Sequence, residues 1–327
     1  MSKMTRIEIE AHGGPENMKL VERDIPDLLA GQVLVRHEAI GVNFIDTYMR
    51  TGLYPLPSFP SGLGGEAAGI VEAIGEGVDH MAVGDRVAYC SGPIGAYASH
   101  NVVSADTLIL LPTSISAKKA AASMLKGLTV QYLIRQIYPV QAGETVLFHA
   151  AAGGVGSIAV QWLKALGATV IGTVGSEEKA DLVRNLGCDH VINYRTESVP
   201  ERVLEITGGA KVPVVFDGVG KDTFEGSLDC LRQRGLMISF GNASGPVEGV
   251  NLGILAAKGS LMVTRPTLAH FVATREALEN ASNDFFAVMS SGGVKIGAPI
   301  EYALADAAQA HIDLSGRKTT GSLVLIP

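Results

Sequence analysis

The stretch HAAAGGVGSIAVQWLKALGA, from His149 to Ala168, decides the fold. It begins within the apolar run TVLFHA (145–150), passes through closely spaced small residues and ends in an apolar pattern with helical spacing. A strand, a glycine-rich turn and a helix in this order are typical of a dinucleotide-binding βαβ unit. Gly153 and Gly156 fit the last two glycines of the G-x-G-x-x-G pattern, and Ala151 stands in place of the first.

The glycines of this turn have separate physical roles. Gly153 lets the backbone approach a pyrophosphate, and Gly156 lets the helix lie close to the strand. The free amides and the dipole at the start of the helix attract an anion. The first glycine mainly serves the tight turn, so we expect Ala151 to be tolerated if its φ is negative. We predict a cofactor site here in preference to a glycine-rich turn without a ligand, and we expect His149 to be a hydrogen-bonded core residue.

The next strand, ATVIGTV, bears on the choice of cofactor. An NAD site usually carries an acidic residue at its end, which binds the ribose 2′-hydroxyl. Gly175 occupies that place and leaves room for a 2′-phosphate, near which Lys179 supplies positive charge and Tyr194 a hydroxyl. Ser176 is expected to cap the following helix. We favour NADPH over NADH, although the nearby residues Glu177 and Glu178 weaken the electrostatic argument.

The composition describes a folded chain with two domains. There are 327 residues, 47% of them hydrophobic and 18% charged. The net charge of −7 argues against nucleic-acid binding as the main role. The three cysteines are far apart and form no CxxC pair, which argues against a disulfide framework or a cysteine-rich zinc site. No apolar run approaches the ~20 residues of a membrane span, and we expect a soluble, cytoplasmic protein.

The chain divides into two regions with different sequence patterns. Residues 1 to about 115 contain short alternating runs separated by turns, which predicts an antiparallel β domain. Ser116 is expected to cap a long helix, after which strands and helices alternate as in a doubly wound parallel sheet. The last segments are expected to return to the first domain. We therefore predict a catalytic domain of residues 1–125 completed by 265–327, and a dinucleotide-binding domain of residues 126–264.

Several segments carry a family resemblance across nearly the whole chain. They are GVNFIDTYMRTGLYP, PSGLGGEAAGIVEAIGEGV, GDRVAY, KGLTVQYL, HAAAGGVG and GLMISFGNASG. Together they resemble the medium-chain dehydrogenase/reductase superfamily, and within it the zinc-free, zeta-crystallin-like NADPH:quinone oxidoreductases. The resemblance implies an α/β architecture: a chaperonin-10-like antiparallel β catalytic domain and a Rossmann domain, with the active site in the cleft between them. It also implies a homodimer paired through the Rossmann domains, and an alanine in the first position of the glycine turn.

The same resemblance implies that no metal takes part. Zinc-dependent members have a cysteine and a histidine at the positions that correspond to Asn43 and Gly65 here, neither of which ligates zinc. Glu66 and Asp46 remain, but two carboxylates alone are poor support for the ion. Without a metal or a flavin motif, the reagent left is the hydride of the nicotinamide.

The resemblance also assigns site residues. Asn43, Asp46 and Tyr48 would line the cleft near the nicotinamide, with the Tyr48 hydroxyl as the candidate hydrogen-bond donor to a substrate carbonyl. The alternative for Tyr48 is a half-buried tyrosine that closes the domain interface. For Arg265 and Arg317 the alternative is an interdomain or surface ion pair. The expected cofactor-binding residues are Tyr132, Gly153, Gly154, Val155, Gly156, Gly175, Ser176, Lys179, Tyr194, Val219, Phe240, Gly241, Asn242, Ala243, Thr264, Arg265, Pro266 and Arg317.

The sequence thus favours an NADPH-dependent quinone reductase that uses neither zinc nor flavin. A reductase of alkenals or enones with the same cofactor is the nearest alternative. A non-enzymatic NADPH-binding sensor or RNA-binding protein is the alternative from another class. The sequence leaves open the choice between one-electron and two-electron reduction. G-x-S-x-G, Walker and H-E-x-x-H motifs are absent from the sequence, which argues against hydrolase, NTPase and protease activities.

Overall fold

A computed structural model describes residues 2–316 and 319–327 of the chain. Arg317, one of the expected cofactor residues, lies outside the described residues. The chain divides into two compact units. The first contains the described parts of 1–126, 272–283 and 296–327, and the second contains 127–271 and 284–295.

Alternating sequence in the N-terminal third produces a β-rich region with one helix. Its elements are β1 (Lys3–Ile9), β2 (Lys19–Asp24), β3 (Gln32–Val42), α1 (Phe44–Thr51), β4 (Ser61–Gly62), β5 (Ala67–Ile74), β6 (Arg86–Tyr89), β7 (His100–Ser104) and β8 (Ile109–Leu110). Short 3₁₀ turns lie at Pro15–Asn17 and Ala105–Thr107.

Strands and helices alternate through the middle of the chain. The elements are α2 (Ala117–Gln131), continued by a π-helical turn (Tyr132–Ile137), β9 (Thr145–Phe148), α3 (Gly154–Ala165), β10 (Thr169–Val174), α4 (Glu177–Asn185), β11 (His190–Asn193), α5 (Val199–Ile206), β12 (Val212–Asp217), α6 (Phe224–Cys230), β13 (Leu231–Ser239), α7 (Gly253–Ala257), β14 (Met262–Thr264) and α8 (Leu268–Phe271). The remaining elements are α9 (Arg275–Ser290), β15 (Ile300–Ala303), a 3₁₀ turn (Leu304–Asp306), α10 (Ala307–Ser315) and β16 (Leu323–Ile326).

The first unit is built from two sheets. One has the order β2-β1-β4, and the other has the order β15-β16-β3-β5-β6-β8, with β7 also paired to β3. All pairs are antiparallel except β15 with β16. Because β16 pairs with β3, the end of the chain completes the first sheet system, as the sequence predicted. Their inward-facing apolar residues form one core that includes Ile9, Val35, Ile40 and Leu325.

The second unit contains the doubly wound sheet. Its six strands are all parallel, in the order β11-β10-β9-β12-β13-β14. This order reverses direction between β9 and β12, which is the switch point at which such sheets bind ligands. The predicted fold class is confirmed by this topology together with the antiparallel sheets of the first unit.

The division of the chain differs from the predicted one after residue 264. Residues 265–271 and 284–295 belong to the second unit, whereas the sequence placed them with the first. The reason is packing along α9, where the ring of Phe285 stacks on that of Trp162 at 5.9 Å between centroids. A helix whose two ends lie in different units has no signal in the sequence pattern. Within 2–316 and 319–327, no helix has the length and apolar character needed to cross a membrane.

Candidate active site

In the glycine turn between β9 and α3, the residue with left-handed backbone conformation is Ala150. Ala150 has φ of 52°, whereas Ala151 is not among the residues with positive φ. Gly153 is the N-cap of α3, with φ of −76° and ψ of 173°. A Cβ on Gly156 would collide with the carbonyl oxygen of Ala150, so this glycine is needed for the close approach of helix and turn. The condition that the sequence set for an alanine at 151 is therefore met.

A glycine on the neighbouring strand makes room for Ala151. Ala151 is fully buried, and a Cβ on Gly172 in β10 would come within 2.8 Å of the Cβ of Ala151. The extra methyl group of the A-x-G-x-x-G form is therefore accommodated by the absence of one on the adjacent strand. This compensation is visible only in the three-dimensional structure.

At the end of β10, Gly175 lies against the side chain of Tyr194. Tyr194 is 45% exposed, and a Cβ on Gly175 would collide with its hydroxyl oxygen. Ser176 caps α4 by accepting a hydrogen bond of 3.3 Å from the amide of Lys179. Glu177 accepts a hydrogen bond of 2.9 Å from the side chain of Asn193. An acidic side chain at 175 is thus incompatible with Tyr194 in its present place.

Two loops beyond β12 and β13 hold each other through backbone contacts. The amide of Phe240 donates to the carbonyl oxygen of Asp217 at 2.8 Å, and the amide of Ser244 donates to that of Val219 at 2.8 Å. A Cβ on Gly241 would collide with the carbonyl oxygen of Gly218. The predicted cofactor residues Val219 and 240–243 therefore lie side by side.

The remaining predicted cofactor residues within the described part of the second unit are Tyr132, Thr264, Arg265 and Pro266. Tyr132 begins the π-helical turn, is 3% exposed and stacks on Phe271 with 4.6 Å between ring centroids. Arg265, directly after Thr264, donates a hydrogen bond of 2.7 Å to the carbonyl oxygen of Ser239. Pro266 is half-buried. The structure thus brings the glycine turn, Gly175 and Tyr194, and the 217–220 and 240–243 loops to the carboxyl ends of the strands, and it buries Tyr132 in a stack.

In the first unit, the start of α1 is held by a buried polar cluster. Asp46 accepts a hydrogen bond of 2.8 Å from the amide of Asn43, which caps the helix. The side chain of Asn43 donates to Glu66 at 2.7 Å and accepts from the ammonium group of Lys126 at 2.7 Å. Both polar atoms of the Asn43 side chain are therefore used internally.

The same cluster does not fit a zinc ion. Glu66 is fully buried, accepts the amide of Leu125 at 2.7 Å and lies 3.8 Å from the ammonium group of Lys126. Burial raises the pKa of Glu66, and the charge of Lys126 opposes that rise. A lysine cation thus stands beside the carboxylate where a metal would need further ligands. Across 2–316 and 319–327, no group of three or more His, Cys, Asp or Glu side chains is placed to hold a metal ion.

A second buried chain of hydrogen bonds reaches α1 from the C-terminal segment. Arg50 donates to Nδ1 of His311 at 3.2 Å, Nε2 of His311 lies 3.0 Å from the hydroxyl of Tyr97, and Tyr97 donates to Asp46 at 2.9 Å. Arg50 also donates to the carbonyl oxygen of Gly13. Because Arg50 can only donate, Nδ1 of His311 is unprotonated and Nε2 carries the proton. We call Arg50, His311, Tyr97 and Asp46 the Arg50 chain.

Burial sets the charge states in this chain. It lowers the pKa of His311 to about 3, with a smaller contribution from Arg50, so this imidazole is neutral. It raises the pKa of Asp46 to about 7, against hydrogen bonds from Asn43 and Tyr97 that favour the carboxylate. Burial, together with the Asp46 charge, also raises the pKa of Tyr97 well above its usual range. Tyr97 is therefore a hydrogen-bond donor at every ordinary pH.

Tyr48 lies two residues after Asp46 on the helix that these contacts hold. It is half-buried, and its ring meets that of Tyr54 edge-on with 5.4 Å between centroids. The amide of Tyr54 donates to the carbonyl oxygen of Tyr48 at 3.1 Å. The position of Tyr48 thus depends on the helix cap and on the following turn.

Sequence reasoning missed several residues of this site. It did not select Lys126, Arg50, Tyr97 or His311, and it considered Glu66 only as a metal ligand. The spacing Asn43-x-x-Asp46 is a readable helix-capping signal. The other contacts join residues 23 to 261 positions apart, and no local pattern encodes them.

Two sequence families match the chain. Residues 29–113 match the alcohol dehydrogenase GroES-like domain, and residues 154–287 match the zinc-binding dehydrogenase family. The antiparallel sheets, the parallel sheet and the glycine turn together define a two-domain medium-chain dehydrogenase/reductase.

Full-length relatives narrow this class. Quinone oxidoreductase of Salmonella typhimurium is 58% identical over 99% of both chains. The crystal structure of Escherichia coli quinone oxidoreductase complexed with NADPH is 56% identical, has a TM-score of 0.97 and covers 99% of this chain and all of that one. The 2-haloacrylate reductase of a Burkholderia species is 45% identical over 98% of both chains. The chain belongs to the quinone oxidoreductase family of the medium-chain dehydrogenase/reductase superfamily, and it is an oxidoreductase.

Proposed function

We propose that this protein reduces quinones with NADPH and uses neither zinc nor flavin. The observation that carries the choice of cofactor is that Gly175 stands where an NAD site typically has an acidic residue, and that any side chain there would collide with the hydroxyl of Tyr194. Lys179 lies in the first turn of α4 and would add a positive charge for a 2′-phosphate. The E. coli relative, 56% identical, was crystallised with NADPH.

The cofactor is proposed to bind at the carboxyl ends of β9, β10, β12 and β13. Gly153, Gly154, Val155 and Gly156 would receive the pyrophosphate at the N-terminus of α3, where the amides of the first helical turn have no partner within the helix. The amide of Gly153 itself donates to the carbonyl oxygen of Ala150 at 2.9 Å, so Gly153 would contribute a close backbone approach. Gly175, Ser176, Lys179 and Tyr194 would surround the 2′-phosphate. The remaining contacts are proposed from Val219, Phe240, Gly241, Asn242, Ala243, Thr264, Arg265 and Pro266. The nicotinamide supplies a hydride when bound.

Tyr48 is the proposed hydrogen-bond donor to the substrate carbonyl oxygen. A phenol can polarise that carbonyl while the oxygen gains negative charge. Asn43 and Asp46 are proposed as positioning residues, because their polar atoms already hold the start of α1. The cluster of Asn43, Glu66 and Lys126 supports a route that does not use a metal.

The first test is NADPH oxidation by the purified protein with benzoquinone, a bulky ortho-quinone and a short enone, each repeated with NADH. We expect quinone turnover with NADPH preferred. Tyr48→Phe should lower kcat and leave NADPH affinity unchanged, because the lost hydroxyl is proposed to contact the substrate. Tyr54→Phe, which alters the neighbouring ring in the same way, is the matched control. An unchanged kcat in Tyr48→Phe would remove this tyrosine from the reaction.

The second candidate is reduction of an activated carbon–carbon double bond. It is favoured by the 45% identity to 2-haloacrylate reductase over 98% of both chains. Turnover of the enone without turnover of either quinone would favour this activity. NADPH binding without turnover of any acceptor would instead favour a sensor, and a salt-dependent shift of RNA in a gel would favour RNA binding.

We also propose a homodimer in a reducing compartment such as the cytoplasm. Strand β14 ends the order of the parallel sheet and exposes Met262 and Val263, and the preceding segment exposes Leu252. An apolar edge strand is a surface on which a second copy can pair. Cys90, Cys188 and Cys230 are free thiols, as a reducing compartment would keep them. Light scattering should give a molar mass of two chains for the wild type and of one chain for Val263→Lys.

A further inference from the structure

A buried chain of side chains lies beneath the predicted cofactor loops of the second unit. Nδ1 of His149 is 3.0 Å from the hydroxyl of Thr173, and Nε2 of His149 is 3.0 Å from the hydroxyl of Ser227. Ser227 donates to a carboxylate oxygen of Asp217 at 2.7 Å. All four residues are 3% exposed or less. We call them the His149 chain.

The protons in this chain point in one direction. Ser227 has a single hydroxyl proton, which goes to Asp217, so its oxygen accepts from Nε2–H of His149. Burial lowers the pKa of His149, and the neutral ring has no second proton. Nδ1 therefore accepts from Thr173, whose oxygen in turn accepts the amide of Ala150 at 3.3 Å. The arrangement differs from a nucleophilic triad, because Ser227 lies between the histidine and the carboxylate. Its proton goes to Asp217, so His149 does not activate it as a nucleophile.

The chain joins the ends of three strands. It begins at Ala150, the left-handed residue of the glycine turn after β9. It passes Thr173 near the end of β10, two residues before Gly175. It ends at Asp217, the last residue of β12, whose other carboxylate oxygen accepts the amides of Val219 at 2.8 Å and Gly220 at 3.0 Å. A movement of one loop would therefore break hydrogen bonds that hold the others.

We propose that His149 is a positioning residue for the cofactor, which couples the glycine turn to the 217–220 loop without touching the bound nucleotide. The inference rests on the proposed use of NADPH, since it concerns the loops assigned to that cofactor. The side chain must accept at one edge and donate at the other, and neutral imidazole does both at a fixed separation. A phenylalanine would fill a similar volume but leave the hydroxyls of Thr173 and Ser227 without their partner.

The test compares NADPH affinity among variants of the full chain. Trp162, the single tryptophan, lies in α3 of the same unit, so its fluorescence quenching reports binding without any turnover. We expect His149→Phe to raise the Kd for NADPH by about tenfold, because two buried hydroxyl groups lose their partner and the loops that they hold are loosened. His149→Gln, which keeps a donor and an acceptor, should recover part of the affinity. At saturating NADPH, kcat should change by less than about twofold.

The matched control is His37→Phe. His37 is also 3% exposed and bonded through both ring nitrogens, to the carbonyl oxygen of Ala98 at 2.7 Å and to Tyr89 at 3.0 Å, but it lies in the first unit. We expect it to lower the melting temperature and to leave the Kd for NADPH unchanged. An equal loss of affinity in the two variants would show a general effect of destabilisation and overturn the proposal.

A smaller change guards against misfolding of the phenylalanine variant. Ser227→Ala interrupts the same chain and removes only one oxygen atom. Wild-type affinity for NADPH in Ser227→Ala would also overturn the proposal. These results are separate from those on the proposed function, because a wild type that binds NADPH but reduces no quinone defeats only the latter.

Discussion

Each unit contains a neutral, buried histidine in a chain of hydrogen bonds that ends on an aspartate, yet the two chains hold different things. The Arg50 chain starts from a guanidinium group and ends on Asp46, which caps one helix. The His149 chain starts from a backbone amide and ends on Asp217, which holds a loop. In both, a partner on one ring nitrogen decides which tautomer the histidine adopts.

The two carboxylates differ in how well they are satisfied. Asp217 accepts hydrogen bonds from two amides and from the hydroxyls of Thr223 and Ser227, both at 2.7 Å. Asp46 accepts one from the amide of Asn43 and one from Tyr97, and burial raises its pKa to about 7. A buried carboxylate with more donors has more to lose on removal. The comparison therefore predicts that breaking the His149 chain at its aspartate lowers the free energy of unfolding more than breaking the Arg50 chain does.

Asp217→Ala should show the largest effect. Four donors would lose their acceptor in a dry environment, and we expect a loss of about 3–5 kcal/mol in the free energy of unfolding. NADPH affinity should fall with it, because the 217–220 loop is released. Urea unfolding and Trp162 quenching measure the two effects. Asp222→Ala, an exposed aspartate five residues along, should change stability by less than about 0.5 kcal/mol. A loss from Asp217→Ala no larger than this control would break the comparison.

Tyr97→Phe interrupts the Arg50 chain and should have a smaller effect. The lost hydroxyl leaves Nε2–H of His311 without its acceptor and Asp46 with one donor fewer, at a cost of about 1–3 kcal/mol. We expect kcat to fall because α1 carries Tyr48, while the Kd for NADPH stays constant. Tyr89→Phe, another buried tyrosine hydroxyl of the first unit, bonds to His37 and Asn101 instead. It should lose stability without losing kcat; equal kcat values in the two variants would argue against a positioning role.

The pH dependence of stability sharpens the comparison within the Arg50 chain. His311 has a folded pKa of about 3 against 6.5 when unfolded, so its contribution to stability falls as pH falls below 6.5. Asp46 has a folded pKa of about 7 against 3.8, so its contribution falls as pH rises above 3.8. Between pH 3.8 and 6.5 the two slopes oppose each other, each at most about 1.4 kcal/mol per pH unit.

Single variants should separate these slopes. Relative to wild type, His311→Gln should make the free energy of unfolding fall more steeply with rising pH. Asp46→Asn should make it rise more steeply, and the double variant should return towards the wild-type slope. Urea titrations at several pH values measure this. Slopes that both shift in the same direction would contradict the assigned charge states.

The smallest effect is expected at Gly65, beside the cluster of Asn43 and Glu66. A Cβ there would meet no heavy atom within 4 Å, so Gly65→Ala should change stability by less than about 0.5 kcal/mol. Gly64 has φ of +82°, and a Cβ there would collide with the ring of Tyr97. Gly64→Ala should therefore cost at least about 2 kcal/mol through strain. Thermal unfolding compares the stability of the two variants. A loss of stability in Gly65→Ala as large as that in Gly64→Ala would contradict the open space around a Cβ at position 65.

Much of the architecture could be predicted because local rules govern it. The glycine turn lies between a strand and a helix as its spacing required, and Ser116 caps α2 through a hydrogen bond from the amide of Lys119 at 3.3 Å. The return of the C-terminal strand was also predicted. The positive φ of Ala150 was not predicted, because an alanine adopts this conformation only where surrounding contacts compensate for the strain.

The sequence by itself determined the fold class, the place of the dinucleotide turn and the residue types that surround it. These depend on periodicity and on short-range backbone geometry, which a linear pattern records. Only the tertiary structure decided that Gly172 accommodates Ala151, that Lys126 stands beside Glu66, and that two histidines connect distant loops. The physical reason is that a buried polar group must find a partner wherever the fold places one, at any separation along the chain.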